Sequence, residues 1–112
     1  MSDRYADRDV FEVSVYGLGP IVMAPTADEG PEEGITARVV FGLAALDGGW
    51  GGPSATIELS LVASPDISIR DAHAKVIEAA YDLVRRLAAE PLEKIMATMA
   101  ERQAESLNRE RP

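Results

Sequence analysis

The sequence predicts an α+β fold: an antiparallel sheet of three to four strands, followed by two C-terminal helices packed on one face. Three observations carry this prediction. Residues 35–63 hold two apolar runs of two-residue period around a glycine-rich loop, an alternating segment precedes them, and the final third changes to a helical period.

The central hairpin organises the rest. Ile35, Ala37, Val39, Phe41, Leu43 and Ala45 share one parity and form an apolar face. The other parity begins polar at Thr36 and Arg38, then turns apolar through Val40, Ala44 and Leu46. In the returning strand Ala55, Ile57, Leu59 and Leu61 alternate with Thr56, Glu58 and Ser60 up to Val62, as in a half-buried strand. The loop between them, Gly48-Gly49-Trp50-Gly51-Gly52-Pro53, places a lone tryptophan among four glycines.

Upstream, Phe11, Val13 and Val15 alternate with Glu12, Ser14 and Tyr16 in a first strand. Gly17-Leu18-Gly19-Pro20 reads as the turn that ends it. Ile21, Val22 and Met23 then form a short edge strand, because Pro20 and Pro25 lack the donor that a central position requires. Residues 26–34 read as a solvated acidic loop. The charged residues 1–9 and residues 108–112 are expected to be flexible ends of a single domain covering 1–112.

Downstream, Ser64-Pro65-Asp66 breaks the last strand, and Ser68 with Asp71 forms an approximate capping box. A stripe of Ile69, Ala72, Val76, Ala80, Leu83 and Leu87 then defines an amphipathic helix, with Asp71, Lys75, Glu78, Asp82, Arg85 and Arg86 opposite. Glu90-Pro91 interrupts it. A second helix carries Leu92, Ile95, Met96 and Met99, and its apolar stripe thins into Glu- and Arg-rich sequence. This element order is similar to that of the bacterial export chaperone family SecB. The likeness is one of fold order alone, without a matched motif, and implies no site residue.

Composition narrows the functional classes. The net charge is -8, and eight of the nineteen acids lie before residue 35 against two bases, so neither nucleic acid nor an anionic membrane surface is an expected partner. The absence of cysteine removes thiolate nucleophiles and thiolate metal sites. The N-terminal residues lack the apolar core of a secretory signal and no segment approaches membrane-spanning length, so a cytoplasmic location is expected.

No residue pattern specifies a catalytic centre. His73, the one histidine, sits at the edge of the first helical stripe, and Tyr81 and Tyr16 are the polar aromatics nearest to an apolar layer. These three are the candidates for a pocket between sheet and helices, in a small-ligand protein or cofactor-independent enzyme. The competing reading of His73 as a half-buried helix residue is favoured, because local spacing fixes no nucleophile or carboxylate beside it. Asp28, Glu29, Glu32 and Glu33 lack the alternating spacing of a calcium loop, and the Gly17-Leu18-Gly19 segment lacks the helix that a dinucleotide loop needs behind it. No metal and no cofactor is expected.

The favoured function is therefore an acidic, non-catalytic interaction module: an adaptor, chaperone-like or regulatory protein acting as a homo-oligomer, most simply a twofold dimer, with a protein partner as the second expectation. Its candidate interaction residues are Trp50 at the loop, Val40, Ala44 and Leu46 on the reverse face of the hairpin, and Met96 and Met99 on the second helix.

Overall fold

A computed structural model of the chain describes residues 4–23 and 30–110. The elements run β1 (Val10–Met23), β2 (Glu32–Leu43), β3 (Ser54–Val62), α1 (Ile69–Ala88) and α2 (Leu92–Glu110). The three strands form one antiparallel sheet in the order β1-β2-β3, so the α+β class is as expected. Two compact units divide the chain, Met1–Ala80 and Tyr81–Pro112. The boundary falls within α1.

In the first unit, the odd parity of β2 supplies the core. Ile35, Ala37 and Val39 are buried there together with Ala63, Ala72, Val76 and Ala80. The last three recur every four residues along α1 and form a narrow stripe. Among the described residues, Val39 and Val76 are the bulkiest side chains wholly removed from water. Burying Val76 is worth about 1.5 to 3 kcal/mol, more than a helix cap of about 1 kcal/mol contributes. The cap is nonetheless formed, with Ser68 Oγ accepting from the Asp71 N–H at 3.1 Å.

Three strand boundaries differ from the sequence reading. β2 begins at Glu32, inside the expected acidic loop, and ends at Leu43. More consequentially, the segment Gly17-Leu18-Gly19-Pro20 does not end a strand: β1 runs through it to Met23 as one strand of 14 residues. Tyr16 pairs with Arg38 and Gly19 with Thr36, leaving Gly17 and Leu18 opposite Ala37 alone. This is a β-bulge, and Gly17 takes its φ of 65°, a left-handed conformation that a Cβ would strain.

The extra residue reverses the parity of β1. Before the bulge Val13 and Val15 stand opposite Phe41 and Val39 on the core face. Beyond it Pro20 and Val22 stand opposite Ile35 and Glu33. Leu18 consequently packs against the core beside Val15. A second register shift between Val10 and Glu12 leaves Phe11 without a direct partner.

The N-terminal residues expected to be frayed include a turn in which the Arg8 N–H donates to Tyr5 O at 3.1 Å. The backbone N–H of Ala44 donates to Asp9 O at 2.9 Å. The Arg8 guanidinium donates to Ala44 O at 3.1 Å, which ties this segment to the end of β2.

The second unit comprises the last turns of α1 and all of α2. Arg86 and Glu90 form an ion pair at 2.7 Å near the end of α1. Pro91 O then accepts from the Lys94 N–H at 3.0 Å, so α2 starts as a separate helix after a three-residue break. Of the four large side chains expected to anchor α1, only Val76 is buried; Ile69, Leu83 and Leu87 are exposed.

Val76→Ala removes two methyl groups at the sheet contact and should cost about 2 to 3 kcal/mol, read as a lower urea midpoint at unchanged slope. Gly17→Ala should cost about 1 to 2 kcal/mol through its positive φ alone, although its side chain lies away from the core.

Candidate interaction site

The loop that carries Trp50 is an ordered structure. Ala45 N–H donates to Gly49 O at 2.9 Å and Gly48 N–H to Ala45 O at 2.8 Å, which closes the loop on itself. Asp47 Oδ1 accepts from Gly49 N–H at 2.9 Å, and Gly48 and Gly51 take φ values of 87° and 90°. Two of the four glycines thus serve backbone conformation. The indole of Trp50 meets the Phe11 ring edge-on, with centroids 4.7 Å apart and planes at 87°. It remains 75% exposed, so the contact orients the indole without covering it. Leu46, at 89% exposure, lies in the same loop.

The reverse face of the sheet is more polar than its expected apolar centre. Ala44 is buried beyond the end of β2, where its backbone bonds to Asp9 and Arg8, and it offers no surface. Leu46 belongs to the loop, and Val40 is half-buried. Around Val40 the face is hydrogen-bonded to itself. Ser14 Oγ and the Tyr16 hydroxyl donate to Glu12 Oε2 at 2.8 and 3.3 Å. Ser60 Oγ donates to Thr36 Oγ1 at 2.9 Å, and Thr36 Oγ1 to Leu59 O at 3.2 Å. Such a face is stable in water without a cover.

Within the first unit, the candidates Tyr16 and His73 are not brought together. Tyr16 stands opposite Arg38 on the reverse face, while His73 belongs to the stretch of α1 that covers the core face. Tyr81 is exposed, with the Arg85 guanidinium 5.8 Å from its ring centroid. Met96 and Met99 are exposed on α2 beside Leu92 and Ile95. Of the acidic block, Glu32 and Glu33 open β2, whereas Asp28 and Glu29 lie outside the described residues.

The sequence reading missed a groove in the first unit, of about 540 Å³, at the end of the sheet where β1 finishes and α1 begins. Leu18, Ile21 and Val22 of β1, Ile35 of β2, and Ile67 and Ile69 line it, with Glu33 and Ser64 as polar members. The size is that of a small-ligand pocket, and the lining is aliphatic. The signal was present in the sequence as a change of apolar parity, from Phe11, Val13 and Val15 to Leu18 and Val22. Read as a turn, it concealed the groove. Among the described residues no helix is long and apolar enough to cross a membrane. Comparison with family models, curated proteins and solved structures finds no match to this chain.

Because Trp50 is the one tryptophan, its fluorescence reports this loop alone. Its emission should lie close to that of free tryptophan and be quenched readily by acrylamide, and Phe11→Ala should alter the spectrum with little loss of stability.

Proposed function

We propose that this chain is a homo-oligomeric interaction module, most simply a twofold dimer. The observation that supports it is the excess of exposed apolar side chains over buried ones. Among the described residues only Val39 and Val76 of the larger side chains are wholly buried, whereas Val22, Leu46, Trp50, Ile69, Leu92, Met96 and Met99 are among those left exposed. A small domain obtains marginal stability from its own core, and association removes further apolar surface from water. Non-catalytic action fits the separation of His73 from Tyr16 across the sheet. In light scattering coupled to size exclusion, the mass should be at least twice 12.0 kDa at micromolar concentration. A strictly monomeric mass would sink this reading.

A second reading is favoured by the groove: a carrier or sensor for an uncharged, apolar small molecule. The aliphatic lining and the carboxylate of Glu33 disfavour an anion. Ile69 sits at the first turn of α1 and is 72% exposed, so Ile69→Glu leaves the core intact and places a charge in the groove. That variant should lose at least tenfold in affinity for an apolar fluorescent probe while keeping its unfolding midpoint; unaltered probe binding would remove the groove from consideration.

A further inference from the structure

The two edges of the sheet are built differently. In β1, register shifts interrupt the ladder at Phe11 and at Gly17-Leu18, and Pro20 removes a donor. Bulges and prolines of this kind prevent a further strand from pairing. β3 has none of them: its register with β2 is continuous from Gly34 opposite Val62 to Gly42 opposite Ser54.

The hydrogen bonds define which groups β3 leaves free. Leu43 N–H donates to Pro53 O and Ala63 N–H to Glu33 O, so the odd residues of the returning strand bond inward to β2. By alternation, Ser54, Thr56, Glu58, Ser60 and Val62 turn their N–H and C=O groups outward, and among the described residues no backbone group pairs with them. Bulk water or another strand must satisfy them.

We infer that this edge of β3 pairs antiparallel with β3 of a second copy, joining two sheets across a twofold axis centred on Leu59. The inference rests on the homo-oligomer reading and specifies its interface. Chemistry selects the register. Centring on Glu58 places two carboxylates directly opposite each other, which is repulsive. Centring on Ile57 sets Leu59 against Ala55. Centring on Leu59 sets Leu59 against Leu59 and Ile57 against Leu61 on the core face, with Glu58 against Ser60 and Thr56 against Val62 on the other. All outward groups from Thr56 to Val62 then have partners, and Ile57, Leu59 and Leu61, half-buried in one chain, gain apolar neighbours. The contact is isologous and closes at two chains.

The absence of cysteine makes the test direct. At a twofold, non-hydrogen-bonded position the two Cα atoms lie about 4.5 Å apart, within disulfide reach. Leu59→Cys should therefore cross-link to itself under mild oxidation. Ile57→Cys and Glu58→Cys should not, while an equimolar mixture of Ile57→Cys and Leu61→Cys should give a covalent heterodimer. Preferential self-linking at residue 57 or 58 would overturn the register. Glu58→Pro provides the second test: it removes an outward donor and spares the β2 ladder, so it should give a monomer with an unchanged circular dichroism spectrum. A dimeric mass retained in Glu58→Pro would overturn the edge contact but leave the homo-oligomer reading standing. A monomeric wild type would remove both.

Discussion

The first unit depends on one constraint: the odd face of β2 has to be kept dry by a single stripe of α1. Ala72 and Ala80 are small and Val76 supplies the one larger side chain of the stripe, which packs with Ile35, Ala37 and Val39. Everything else in that unit is arranged at the margin of this contact. Phe41, Ile57, Leu59 and Leu61 pack around it and remain half-exposed, because a stripe so narrow cannot span three strands.

The bulge in β1 follows from the same demand. A straight edge strand would turn Leu18 to the polar face after Val15; the additional residue at Gly17 returns it to the core face, together with Pro20 and Val22. The groove is a consequence. On its β1 side it is lined by Leu18, Ile21 and Val22, beyond the bulge, and it is completed by Ile67 and by Ile69 and Ala72 at the start of α1. The bulge also disrupts the outer edge of β1, which leaves β3 as the regular edge of the sheet.

Much of this was legible in the residues. The alternation of Ile35 to Phe41 located the core face of β2, the period of Ala72, Val76 and Ala80 located the contact stripe of α1, and Ser68 and Pro91 marked the starts of the two helices. The less legible places have a common cause. Gly17-Leu18-Gly19-Pro20 has the composition of a turn, and composition reports which backbone angles are permitted, not whether the chain reverses there. Ala44 and Leu46 continued the apparent alternation of β2, yet the ladder ends at Leu43, where Pro53 O closes the last pair.

The sequence by itself determined the fold class, strands followed by two helices, and the buried parity of the central hairpin, since these depend on local periodicity and on side chains a few residues apart. Only the tertiary structure decided that Tyr16 and His73 belong to opposite sides of the sheet, that Ile69 lines a groove instead of filling the core, and that β3 presents an unbroken edge. Those are properties of register between strands distant in sequence. A shift of one residue, such as the one at Gly17, reverses every facing beyond it while leaving the local pattern almost unchanged.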